Sequence, residues 1–355
     1  MIKKLQEKLS ENEAVIIIEP KNRRYFTGIN TSNGLLLVTV DSAVFFTDFR
    51  YITAAKSNLP KNITPELFSG GRSESIKTAL KDKNCEKIYF EGNYLSYNEV
   101  KILKENLYKY TLINSGDTIL SLREIKTEEE IGNIKQAQRI TDKGFTFICN
   151  YIRENKRNRL TEKMIAFELE IFMRKNGSGA MPFEIIAASG PNSALPHAVP
   201  TDRKIVSGDF LTLDFGSTVN GYASDMTRTV AIDNVSDKQM EIYNIVLKAQ
   251  KTSLKKIKPG MTGKEVDSIA RDIIEEEGYG EYFGHSLGHG VGLDVHENPN
   301  FAPRWTEPIP ENAVMSVEPG IYLEDEFGVR IEDLCVIRKN GVEDLTGSDK
   351  SLIIL

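Results

Sequence analysis

Two stretches of this chain repeat one another at a fixed spacing. Leu160-Thr161 opens one amphipathic segment that runs to Gly177, and Met261-Thr262 opens another that runs to Gly278. The threonines and the glycines are each 101 residues apart (262 − 161, 278 − 177). Each segment has the marks of a helix, with a threonine suited to cap its N terminus and a glycine suited to the left-handed residue past its end. The second copy adds a capping box, Thr262 with Glu265, and an apolar stripe at Val266, Ile269, Ala270, Ile273 and Ile274. Two amphipathic helices can resemble one another by chance. Here each is followed by a strand pattern carrying an acid and a glycine, Leu213-Asp214-Phe215-Gly216 in the first copy and Val317-Glu318-Pro319-Gly320 in the second. A second acid follows each, Asp225 and Glu332, so the repeat places acidic pairs as well as helices. Such a layout predicts a domain made of two similar halves.

Those acids constrain the chemistry. Asp214 interrupts the apolar run 210–215, and Asp225 lies within Tyr222-Ala-Ser-Asp-Met-Thr-Arg-Thr-Val, again mostly strand-like. Asn220-Gly221 supplies the turn between them, which predicts adjacent antiparallel strands with the two aspartates facing each other. Glu318 and Glu332 repeat that arrangement. An acid inside an apolar strand is costly unless it is paired or holds a cation. Singly, each reads best as a salt bridge or a solvated loop residue. Together they would repel, by about 4 kcal/mol for two charges ~4 Å apart at an effective dielectric near 20. Two divalent cations would balance four carboxylates.

All four histidines lie in the second half of the chain, three of them within Phe283-Gly-His-Ser-Leu-Gly-His-Gly-Val-Gly-Leu-Asp-Val-His-Glu-Asn-Pro. The glycines there let the backbone approach a ligand closely. His289 is the best metal-ligand candidate. His296, placed on a short strand Leu293 to His296, is a candidate for contact with substrate or an oxyanion, and His197 sits apart in a proline-bounded loop. Gly284-His-Ser-Leu-Gly288 matches the nucleophile-elbow pattern, but a glycine-rich loop follows it where a helix is required. His285 and His289 have the spacing of the helical H-E-x-x-H zinc motif, but Ser286 stands in the glutamate's place and glycines oppose a helix. Gly288, Gly290 and Gly292 lack the lysine and the strand-helix-strand setting of a phosphate loop. What remains is an oxygen-rich site with one nitrogen ligand, a donor set for manganese that also admits zinc, cobalt or iron. It reads as a dinuclear metallohydrolase.

The first part of the chain alternates strands and helices. Runs at 14–18, 34–40, 43–47 and 87–90 read as strands, the middle two joined as a hairpin at Asp41-Ser42, and Tyr97 to Leu107 has helical spacing. It holds no histidine. A boundary falls at residues 115 to 128, where Thr127 to Glu130 spells a capping box, and the expected domains are 1–122 and 123–355. The net charge of −6 argues against a nucleic-acid binder, and no apolar run is long enough to span a membrane. Three scattered cysteines and no apolar leader set the expectation of a cytoplasmic protein.

The motifs Leu213-Asp-Phe-Gly, Ser224-Asp-Met-Thr-Arg, Gly288-His-Gly-Val-Gly, Val317-Glu-Pro-Gly and Arg330-Ile-Glu-Asp, in that order, closely resemble the pita-bread metallopeptidases. That family (M24) comprises creatinase, aminopeptidase P, prolidase and methionine aminopeptidase. The resemblance covers 123–355, and it implies an α+β, pseudo-twofold catalytic domain with a curved antiparallel sheet. Asn22-Arg-Arg-Tyr-Phe-Thr-Gly and Thr47-Asp-Phe-Arg-Tyr resemble the smaller α/β N-terminal domain of prolidases and aminopeptidases P. The resemblance implies that Asp214 holds one divalent metal, His289 with Glu318 a second, and that Asp225 and Glu332 bridge them. Mn2+ is the expected ion, with Co2+ or Zn2+ as alternatives. It further implies that His197 and His296 bind substrate and stabilise the transition state, that His285 lines the substrate pocket, and that Arg330 and Tyr322 brace the site.

The activity implied is hydrolysis of an Xaa-Pro bond at the N terminus of small peptides, by attack of a metal-bridging hydroxide. Relatives are often homodimers. Prolidases must hold a free substrate carboxylate, and some carry an arginine soon after the histidine-glutamate step. Here Asn300 stands in that stretch and no arginine precedes Arg304, which tilts the expectation toward aminopeptidase P. The alternatives are an Xaa-Pro dipeptidase and a metal-free binding protein of the same fold.

Overall fold

The computed structural model describes residues 1–155 and 159–355, and the chain divides into two compact units, Met1–Arg123 and Glu124–Leu355. The first is built on a six-stranded sheet. Its strands, in spatial order, are Thr64–Leu67, Ala43–Thr47, Leu35–Thr39, Glu13–Ile17, Lys87–Phe90 and Thr111–Asn114. The hairpin predicted at Asp41-Ser42 is present, with Val38 opposite Ala43. Leu35–Thr39 also pairs antiparallel with Glu13–Ile17, whereas the outer pairings are parallel. Parallel neighbours need a crossover, and helix Phe49–Asn58 supplies one between Ala43–Thr47 and Thr64–Leu67. Ile16, Leu35, Leu37, Ile88 and Leu103 form part of its core. The polar stretch expected to mark a boundary carries a helix, Thr118–Glu124.

In the second unit the duplication is visible element by element. Helix Glu162–Lys175 is capped by Thr161, and helix Gly263–Glu276 by Thr262 with the reciprocal Glu265 box. Both end alike. Gly177 and Gly278 take φ of 98° and 85°. Ser178 N–H donates back to Met173 O and Tyr279 N–H to Ile274 O, the Schellman closure that glycine at this position permits. Longer helices precede each, Glu128–Asn155, opened by the predicted Thr127–Glu130 box, and Asp237–Lys256.

Two antiparallel sheets repeat one topology. In one, Phe210–Phe215 lies between Met226–Ala231 and Ile186–Ser189. In the other, Val314–Val317 lies between Asp333–Arg338 and Gly288–Gly290, with Gly341–Asp344 and Glu297–Phe301 outside. A short hairpin separates the paired strands in each half, Thr218–Val219 with Tyr222–Ala223, and Gly320–Leu323 with Phe327–Arg330. In the first, Asn220 and Gly221 take φ of 48° and 78°, the doubly positive turn expected of Asn-Gly. Helices on antiparallel sheets in one unit and a mixed sheet with crossover helices in the other realise the expected α+β and α/β classes. Among the described residues no helix is long and apolar enough to cross a membrane.

The strand expected at Leu293 to His296 is not formed. These residues are bends, and the strand begins at Glu297. Gly292 N–H donates to Asp294 O only two residues on, which turns the backbone away from extended pairing.

Candidate metal centre

The repeated strands bring the acids together. Asp214 is the fifth residue of Phe210–Phe215, and Thr227 of the neighbouring strand stands directly opposite it. Asp225 lies one residue ahead of that strand, two before Thr227, so it stands past the last rung, Phe215–Met226, rather than facing Asp214. In the second half Val317 pairs with Asp333, and Glu318 and Glu332 flank that rung. Asp225, His289 and Glu332 present ligand atoms within 4.8 Å of one another. His289 Nε2 is 3.1 Å from Glu318 Oε1 and 3.8 Å from Asp225 Oδ2, while its Nδ1 faces Gly290 O at 3.2 Å. A ring nitrogen held on a backbone carbonyl orients the imidazole and leaves the other for a cation or proton.

All ten residues singled out in the sequence line one cavity of ≈ 480 Å³: His197, Asp214, Asp225, His285, His289, His296, Glu318, Tyr322, Arg330 and Glu332. Arg330 is the hub of one wall. Its guanidinium donates to Asp214 Oδ2 (2.6 Å), Tyr322 Oη (2.8 Å), Thr227 Oγ1 (3.0 Å) and Pro196 O (3.2 Å). Tyr322 Oη also lies 2.9 Å from His285 Nε2, and His285 Nδ1 meets Ser286 O at 2.8 Å, so both nitrogens of this ring are engaged. His296 packs edge-on against His289 with ring centres 4.2 Å apart.

Burial sets the electrostatics. It raises Asp214 against the pull of Arg330. Burial and the neighbouring carboxylates, Glu332 foremost, push Asp225 well above its usual range, and burial with Glu318 and Asp214 does the same to Glu332. Burial would also raise Glu318, but the hydrogen bond and charge of His289 outweigh it and hold this acid at about 2. His289 is raised in return, burial notwithstanding. Burial lowers His285 and His296, which favours neutral imidazoles at these two positions.

The donor set fits divalent metal. Asp214 Oδ1 and Glu332 Oε1 are buried without a hydrogen-bond partner, a costly condition that a cation relieves. Four carboxylates and one imidazole suit hard to borderline ions. Sequence reading missed two supports. Thr227 donates its hydroxyl to Glu332 Oε2 at 2.7 Å, and Ser316 donates to Glu318 Oε1 at 3.1 Å while accepting from His289 N–H. Both stand within two residues of a proposed ligand, a signal that tells only once the strands are paired.

A duplicated sheet domain whose seam is lined by carboxylates and histidine is a metallohydrolase architecture. Residues 132–339 match metallopeptidase family M24, and residues 1–125 match the creatinase/prolidase N-terminal domain. The chain is 41% identical over 357 residues to the Xaa-Pro dipeptidase of Pyrococcus furiosus, covering 99% of both. Its fold matches the solved Xaa-Pro dipeptidase from Bacillus anthracis, with TM-score 0.95 and 40% identity over 100% of this chain and 99% of that one. It also matches the X-Pro aminopeptidase from Thermotoga maritima, with TM-score 0.91 and 38% identity over 99% and 100%. The chain belongs to metallopeptidase family M24 and is a peptidase, and the family implies divalent metal ions.

Proposed function

We propose that this chain is an Xaa-Pro aminopeptidase that removes the N-terminal residue from small peptides with proline in second position. Asp214, Asp225, His289, Glu318 and Glu332 would hold two divalent ions, Mn2+ in preference to Co2+ or Zn2+. Bound there, such ions supply a hydroxide nucleophile near neutral pH and polarise the scissile carbonyl. The chain's own groups do the rest. Arg330 fixes Asp214 and, through Tyr322, the ring of His285. His296, kept neutral by burial, donates an N–H to the carbonyl oxygen as charge develops on it. His197 and His285 bind substrate. The family resemblance supports a cytoplasmic homodimer.

The choice of aminopeptidase over dipeptidase rests on Arg330. It is the only arginine or lysine among the described residues lining the cavity, and it is committed to four acceptors. A dipeptide would bring a free carboxylate into this wall with no uncommitted cation to meet it, and an unpaired buried charge is costly. An Xaa-Pro-Xaa tripeptide carries that charge further out. The test compares Gly-Pro with a Gly-Pro-Xaa tripeptide on manganese-loaded enzyme. The tripeptide should be favoured at least tenfold in kcat/KM; equal or better turnover of the dipeptide would establish the dipeptidase reading suggested by the names of the P. furiosus and B. anthracis relatives. No turnover of either with manganese, cobalt or zinc would overturn the proposed substrate and ion set.

A further inference from the structure

Glu162 is a fully buried carboxylate outside the cavity, and the metal centre makes no use of it. It is the first residue of helix Glu162–Lys175. Five donors converge on it. Ser189 N–H (2.6 Å) and Oγ–H (2.8 Å) reach Oε1. Asn192 Nδ2 (2.9 Å), Thr201 N–H (2.9 Å) and Thr201 Oγ–H (2.6 Å) reach Oε2. No lysine or arginine donates to it in these bonds; the nearby Arg203 is engaged by Asp209 and Ser189 Oγ. All five donors are neutral groups, gathered at the N-terminal end of the helix.

These donors are the two feet of one loop. Ser189 and Asn192 begin it, Thr201 ends it, and His197 lies between. Asn192 Nδ2 also reaches across to Val199 O (3.3 Å). The far side is held by Arg330 of the cavity wall, which donates to Pro196 O, and by Gly328 N–H, which donates to Ser193 Oγ. Glu162 therefore closes a loop whose tip places an imidazole in the cavity. The second half uses the same helix end differently. Gly263 occupies the position equivalent to Glu162, and a Cβ there would meet Asn300 O at 1.9 Å. The helix N terminus thus abuts the segment that follows His296.

We infer that Glu162 is the positioning residue for His197, acting by tying both feet of the loop 189–201 to one carboxylate. The inference deepens the proposed function and rests on its assignment of His197 to substrate.

The experiment uses imidazole NMR of the full-length zinc-loaded protein. Four histidines give few signals, and His197→Ala identifies one of them. Glu162→Gln puts an amide N–H₂ among five donors and loosens the feet. It should move the His197 signal, leave those of His285, His289 and His296 in place, and lower kcat/KM at least tenfold. In a His197→Ala background the same substitution should cost less than twofold. Thr201→Val, which removes a single donor, should shift the His197 signal in the same direction by less, and it serves if Glu162→Gln does not fold. An unmoved His197 signal, equal movement of all four, or losses that multiply in the double variant would overturn the inference. A shifted His197 signal with full turnover would keep the tether and overturn the role given to His197.

Discussion

Gly288 precedes the proposed ligand His289 in strand Gly288–Gly290 and does not take a positive φ, so only space argues against a side chain there. A Cβ would lie 2.0 Å from Ser316 O, where ordinary contact begins at 3.4 Å, so the strands must part by about 1 Å or more. Three interactions cross at that point. Glu318 N–H donates to Leu287 O at 2.8 Å, His289 N–H to Ser316 Oγ at 3.0 Å, and His289 Nε2 meets Glu318 Oε1 at 3.1 Å. Adding 1 Å to the last takes it beyond hydrogen-bond reach. Overpacking and weakened hydrogen bonds together put the cost of Gly288→Ala at about 2–4 kcal/mol. In a unit this size that is a drop in Tm of roughly 5–10 °C. Metal sites tolerate only ~0.2 Å of ligand displacement, so metal affinity should fall ~10–100-fold. Displaced groups should lower kcat/KM by about 10²-fold. Thermal melts, metal titration calorimetry and turnover of an Xaa-Pro-Xaa peptide read the three effects. A variant that melts within about 1 °C of the parent and keeps its metal affinity and turnover would refute the packing argument.

Other expectations are as direct. Asp225→Asn should abolish turnover and take up less metal by elemental analysis, and retention of two ions per chain would contradict its bridging role. Arg228 and Asp333 form a fully buried ion pair 2.7 Å apart between the strands that follow Asp225 and Glu332. Arg228→Leu takes one of two cations from Asp333, which keeps Lys350 Nζ at 2.8 Å and Gln250 Nε2 at 2.6 Å, and should cost about 1–3 kcal/mol in a denaturant melt; no measurable loss would be inconsistent with that burial. Asp225 and Glu332 are raised in the metal-free protein. The folded state therefore binds protons that the unfolded state releases above the ordinary carboxylate range. Chelated protein should lose stability as pH rises from 4–5 through the raised values, and restored metal should flatten that dependence. Chelated and loaded protein with parallel stability–pH curves would sink this account.

The convergence of Asp214, Asp225, Glu318 and Glu332 on one cavity was legible because acids inside apolar strands are rare, and because a repeat placed them in pairs. Capping boxes at Thr127 and Thr262 and the Asn220-Gly221 turn were legible because their chemistry is local. Strand Thr64–Leu67 was not, since it is a largely exposed edge carrying Pro65 and shows no apolar run. The bends at Leu293 to His296 read as a strand because Leu-Asp-Val alternates, and the turn bond of Gly292 leaves no mark in composition. The four acceptors of Arg330 and the five donors of Glu162 depend on contacts between residues far apart in the chain. Such satisfaction of buried charge is a property of the finished packing, and no window of sequence contains it.

The five proposed ligands are divided between the duplicated halves, Asp214 and Asp225 in one and His289, Glu318 and Glu332 in the other. Neither half can assemble the centre by itself. Folding that proceeds from the N terminus during synthesis would hold two aspartates in waiting until the last paired strands are made. A centre so divided would leave the nascent chain inert, and metal uptake would report that both halves have docked.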